Sequence, residues 1–142
     1  MMKSLSTLLI LLFISSGSTK IVHKDLHPYV DALNSYIKPS CKPKTNYIFT
    51  LGKLENPSWI GVCKKSTFTM NITIDPGYWA TATSTEKLDL LAHEMTHCYF
   101  DEPHSKDKMH YMYYLDTYND KSKTLQQFIE MVKSKDCLSY ED

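Results

Sequence analysis

The sequence predicts an α+β domain. Three observations carry that expectation: helical periodicity near each end of the chain, a block of β-branched and aromatic segments between them, and a capped amphipathic stretch after that block. With 142 residues the chain has room for one hydrophobic core and no second independent domain.

Each element is justified by periodicity and punctuation. From Asp25 to Ile37, the residues Leu26, Tyr29, Val30, Leu33 and Ile37 recur at helical spacing and Pro39 stops the pattern, which predicts a first helix. Tyr47–Leu51, Trp59–Cys63 and Thr67–Ile74 predict three strands, separated by Gly52, Asn56-Pro57 and Lys64-Lys65. Asp75-Pro76-Gly77 reads as a turn. Thr83-Ser84-Thr85-Glu86 then offers a capping box, ahead of Leu88, Leu91, Ala92 and Met95 on one apolar face. A second helix is therefore expected to run to about Tyr99 and to end at Asp101-Glu102-Pro103. No period is convincing between Pro103 and Asp120. From Thr124 onward, Leu125, Phe128, Ile129 and Val132 predict a last helix up to Cys137.

Met1-Met2-Lys3, an apolar stretch from Leu5 to Ile14 and the small residues Ser15-Ser16-Gly17-Ser18 have the layout of a secretory signal. Residues 1–18 are thus expected to be removed, with Gly17 as the competing cleavage position, leaving a single domain over 19–142. A run this short does not span a bilayer comfortably, which takes roughly 20 residues. Export into an oxidising compartment makes Cys41, Cys63, Cys98 and Cys137 an even set for two disulfides. Of the three pairings, Cys41 with Cys63 and Cys98 with Cys137 is expected, because it staples nearby segments. No two cysteines stand at C-x-x-C spacing, which argues against a cysteine zinc cluster.

Acidic and basic residues balance at sixteen each, and every cation is lysine. Lacking arginine, the chain has no bidentate donor for guanine or phosphate, so nucleic acid is not an expected partner. Stable membrane insertion after signal removal is not expected either, and the domain is read as a monomer.

The chemistry lies in His93-Glu94-Met95-Thr96-His97. Histidines four apart on a helix project from one face and can bind a single zinc ion through neutral nitrogens. Glu94, about 100° round the helix from His93, falls beside the metal, where it can act as general base on an activated water. A catalytic zinc needs a third protein ligand. His104, just past the Pro103 stop, is the first candidate, His110 the second and Glu130 the third.

The set His93-Glu94-x-x-His97, His104 and Tyr111-Met112-Tyr113 resembles the metzincin clan of zinc peptidases over roughly residues 67–114. The third histidine comes one residue later than the usual pattern, and Phe100 stands in the place of its glycine. A longer-spaced variant fits better, similar to small bacterial metzincin-like sequences reading H-E-L-G-H-C, a match that extends to Cys98. The resemblance implies a small zincin domain with a mixed twisted sheet, an active-site helix and a C-terminal helix. It further implies one catalytic Zn2+, Met112 beneath the metal with Met109 as competitor, and Tyr114 or Tyr111 approaching the substrate or oxyanion. It also makes Met70–Ile74 the edge strand that holds an extended peptide substrate. Asn71-Ile72-Thr73 matches a glycosylation sequon. The reading is thus an exported zinc endopeptidase. Its rivals are a disulfide-stapled secreted binding protein (toxin or inhibitor) with structural or no zinc, and a metal-dependent hydrolase of other amides.

Overall fold

A computed structural model describes residues 18–113 and 121–139. In chain order the elements are β1 (Lys20–Val22), α1 (His27–Ser35), β2 (Asn46–Leu51), β3 (Gly61–Lys65), β4 (Thr69–Ile74), α2 (Pro76–Thr81), α3 (Ser84–Phe100) and α4 (Thr124–Ser134). Short 3-10 turns at Pro39–Cys41 and Lys121–Lys123 complete the described secondary structure. The architecture is α+β with a small mixed sheet of order β1-β2-β4-β3, in which β1, β2 and β4 run parallel and β3 is antiparallel to β4.

The period-2 pattern of β4 turns Met70, Ile72 and Ile74 into the core. There they join Phe49 of β2, Leu33 of α1, Leu91 and Met95 of α3 and Phe128 of α4 in one cluster. Fully burying side chains of this size contributes roughly 1.5–3 kcal/mol each. Helix α3 packs on β3 and β4 and also touches α1 and α4, so it is held from several sides. Its N-terminus has the expected capping box: Thr83 Oγ1 accepts from the Glu86 amide at 3.2 Å, and Glu86 Oε2 accepts from the Thr83 amide at 2.7 Å. Such a cap is worth about 1 kcal/mol.

Several elements differ from the sequence expectation. The Asp75-Pro76-Gly77 segment opens helix α2 instead of ending as a turn. Pro76 suits the first helical position, Asp75 caps the Tyr78 amide at 2.7 Å, and Trp79, only 5% exposed, supplies the buried anchor. Strand β1 escapes detection because three residues are too few to show a period. The first helix is shorter than 25–37 because Leu26 serves as its N-cap and Tyr36 as its C-cap. Most consequentially, Met70–Ile74 is not an edge strand. It pairs on both sides, with β2 and β3, and the edge nearest α3 is β3. Asn71 therefore lies in an interior strand with its side-chain oxygen buried, a poor place for a glycan.

The disulfide pairing also differs. Cys41 bonds Cys137, and Cys63 bonds Cys98. Strand β3, antiparallel to β4, lies along α3 with Cys63 turned toward the helix. The segment after α1 meets the end of α4, where the Lys38 amide donates to the Cys137 carbonyl at 2.7 Å. Proximity in space, not in sequence, decides both bonds. Removing the Cys41–Cys137 bridge, which closes a separation of 96 residues, with a Cys41→Ser/Cys137→Ser double substitution is expected to lower stability by about 2–4 kcal/mol. Chemical denaturation would read this as a lower midpoint; an unchanged midpoint would show that the bridge adds nothing.

The expected signal falls largely on residues 1–17, outside the described region, as does Tyr114. No helix among the described residues is long and apolar enough to cross a membrane.

Candidate metal centre

His93 and His97 sit one turn apart in the C-terminal half of α3, and His104 arrives from the chain just beyond it. One nitrogen from each ring lies within 4.8 Å of the others, a group able to hold a metal ion. Ring centroids are 4.7 Å apart for His93 and His97, 4.6 Å for His97 and His104, and 5.1 Å for His93 and His104.

Backbone carbonyls set the orientation of the two helical histidines. His93 Nδ1 lies 2.9 Å from the Tyr111 carbonyl and His97 Nδ1 lies 2.6 Å from the Glu102 carbonyl. A carbonyl oxygen can only accept, so the partners assign the proton to Nδ1 in both rings. In the neutral rings each Nε2 is then a bare lone pair, and the two Nε2 atoms stand 3.1 Å apart. Two lone pairs that close repel unless a cation lies between them. Tetrahedral zinc, with nitrogen ligands at about 2.0–2.1 Å, separates those ligands by about 3.3 Å, so the donor set fits such an ion. Carbonyl partners on the far ring nitrogen are also the usual outer support of metal-binding histidines.

The exit from α3 delivers the third ring. Asp101 takes the left-handed conformation (φ 54°), which aspartate tolerates better than most residues, and this supplies the sharp turn that a glycine would otherwise make. Its carboxylate pairs with Lys65 of β3 at 2.6 Å. Glu102 is ion-paired with Lys135 beyond α4, so the carbonyl that orients His97 is itself anchored. Next to His104, the Ser105 amide donates to the Met112 carbonyl at 2.7 Å and Ser105 bridges Tyr113, which pins the loop.

Glu94 is 6% exposed and lines the same cleft as the three histidines. Burial pushes its carboxyl up to about 7, opposed by a hydrogen bond from the Cys63 backbone. Burial pulls the His93 imidazole down to about 4, against the pull of the Tyr111 carbonyl, with His97, His104 and His110 adding to the fall. His104 is lowered too, by burial and then by His97. The shifts of His93 and His104 favour uncharged imidazoles. The cleft has a volume of about 910 Å³ and runs between β3 and α3, with Trp59 and Val62 on one wall and Asp89 and Leu90 on the other.

The remaining expected residues are placed as follows. His110 stands outside the triad: its Nδ1 accepts from the Met112 amide at 3.1 Å, and burial lowers its imidazole against Asp107, Glu102 and Glu130. Glu130 is exposed, accepts from Gln126 at 3.1 Å and is not one of the triad. Met112 is 2% exposed and belongs to the core, whereas Met109 is 47% exposed and packs no floor. Tyr111 contributes its carbonyl to His93, while its hydroxyl lies 2.9 Å from Thr96 Oγ1, turned into the core. Burial raises that phenol.

Sequence reasoning missed Gly61, Glu102 and Lys135. A glycine inside a strand pattern does signal close approach of another group, so Gly61 was findable. The orienting carbonyl of Glu102 carries no signal in residue type.

No protein-family model, curated protein or solved structure matches this chain.

Proposed function

We propose that the chain is an exported zinc-dependent endopeptidase. The observation that carries this reading is the pair of bare Nε2 atoms on His93 and His97, 3.1 Å apart beside the buried carboxylate of Glu94. His93, His97 and His104 would hold the ion through imidazole nitrogens, a donor set typical of open catalytic zinc sites. A bound divalent ion supplies Lewis-acid chemistry, polarising the scissile carbonyl and easing proton loss from water. Glu94 takes that proton on a carboxylate oxygen and returns it to the departing amine. Because Glu94 is sheltered between β3 and α3, bulk water competes little for it. The Met112 carbonyl accepts from the Ser105 amide next to His104 and so steadies the loop that carries that ring.

Strand β3 supports a polypeptide substrate. It is the sheet edge that walls the cleft, and an extended peptide can add to such an edge through main-chain hydrogen bonds. Pairing of this kind selects extended backbone over particular side chains. Two disulfides support an oxidising, extracellular destination. The same disulfides favour a second reading, a stapled secreted binding protein (toxin or inhibitor) whose histidines hold a structural ion or none.

Metal removal tests the choice. The oxidised protein is expected to purify with stoichiometric zinc, to stop cleaving an unfolded polypeptide when a chelator strips the ion, and to resume when zinc is restored. Cleavage that survives complete metal removal would overturn the zinc mechanism. A protein that binds zinc and cleaves no polypeptide would leave the binding-protein reading.

A further inference from the structure

The strand that walls the cleft carries no side chain where it meets Glu94. A methyl group built on Gly61 would stand 3.0 Å from Glu94 Oε1, 3.1 Å from Glu94 Cγ and 3.0 Å from Leu90 Cδ1. The two carbon contacts are well inside the usual carbon–carbon distance of about 3.5–4.0 Å, and all three are tight enough that the neighbouring side chain must give way. Gly61 does not have a positive φ, so its backbone is open to any residue. What excludes a side chain at this position is the space that Glu94 already fills.

The strand is also fastened at the height that makes this fit. Two residues on, Cys63 faces the helix too and is bonded to Cys98, four residues along α3 from Glu94. Two strand residues advance about 6.6–6.8 Å and four helical residues about 6 Å, so strand and helix stay in step across both contacts. Two residues further on, the exposed Lys65 pairs with Asp101 at 2.6 Å, just past the helix end. Three alternate residues of β3 thus lock onto α3: a bare backbone at 61, a covalent bond at 63 and an ion pair at 65.

We propose that Gly61 is a positioning residue whose missing side chain, at a strand height set by Cys63–Cys98, forms the seat that holds the Glu94 carboxylate in the cleft. The catalytic consequence rests on the peptidase reading, whereas the steric seat does not. Leu90 can swing its terminal methyl aside. Glu94 is only 6% exposed and meets position 61 along its stem as well as at its tip, so it has less freedom to yield.

The test pairs a thermal-unfolding cycle with kinetics on the disulfide-intact protein at saturating zinc. Gly61→Ala is expected to lower Tm by a few degrees in the wild-type background. In the Glu94→Ala background, where the space is vacant, the same change is expected to leave Tm unchanged or raise it, because alanine loses less backbone entropy on folding. Equal Tm changes in the two backgrounds overturn the seat, whether or not the protein cleaves peptides. In the active wild type, Gly61→Ala is expected to lower kcat about tenfold to a hundredfold at near-constant KM, with zinc stoichiometry and affinity unchanged. An unchanged kcat overturns the positioning role and leaves the peptidase reading standing. A wild type that binds zinc without cleaving polypeptide overturns that reading alone, and the unfolding cycle still decides the seat.

Discussion

Glu94→Gln is expected to leave the metal in place and to lower peptide turnover about a hundredfold to ten-thousandfold, the range that general acid–base catalysis contributes. The substitution is close to isosteric. It fills the same space against Gly61, so α3 and β3 should remain packed. Only the ability to take up a proton is removed. Zinc content should be unchanged because the three imidazoles are untouched, and KM should move little because the peptide is held by the strand edge. Metal analysis and initial rates on an unfolded polypeptide measure the two halves separately. A glutamine variant with the wild-type rate would remove Glu94 from the mechanism.

His97→Ala is expected to have the largest effect on the metal. His97 is the ring nearest to both others, at 4.7 Å from His93 and 4.6 Å from His104. Its loss leaves two donors where a catalytic zinc wants three. Affinity should therefore fall by more than the about tenfold to hundredfold that accompanies loss of an outer supporting partner. His110→Ala is the matched control: it keeps all three triad rings, and its affinity should equal that of the wild type. Competition against a chelator of known strength reads both variants. Wild-type affinity in His97→Ala would dismiss the triad, and a large loss in His110→Ala would move the third ligand from His104 to His110.

The ease with which the site could be read from residues varied with its chemistry. The i, i+4 histidines and the capping box at Thr83 are local patterns, and α3 forms where they place it. His104 was expected from the Pro103 stop and does join the cluster, although the turn that delivers it depends on Asp101 adopting a left-handed backbone. The Glu102 and Tyr111 carbonyls that aim the rings are invisible in residue type, since every residue carries a carbonyl. The resemblance placed the edge at Met70–Ile74, one strand away from where it lies, because apolar alternation marks a strand without saying how many neighbours it has.

Residue order alone determined the elements whose cause lies within a turn or two of chain: α1, α3, α4, the clearest strand β4, the even cysteine count and the two helical histidines. Tertiary structure decided which segments meet. It set β3 at the edge against α3, paired Cys63 with Cys98 and Cys41 with Cys137, and closed Gly61 onto Glu94. It also made a helix of Pro76–Thr81 by burying Trp79. The physical reason is one of range. Hydrogen-bonded turns and caps are satisfied by neighbours in sequence, whereas strand order and disulfide partners follow from whichever packing buries the whole set of apolar faces at once.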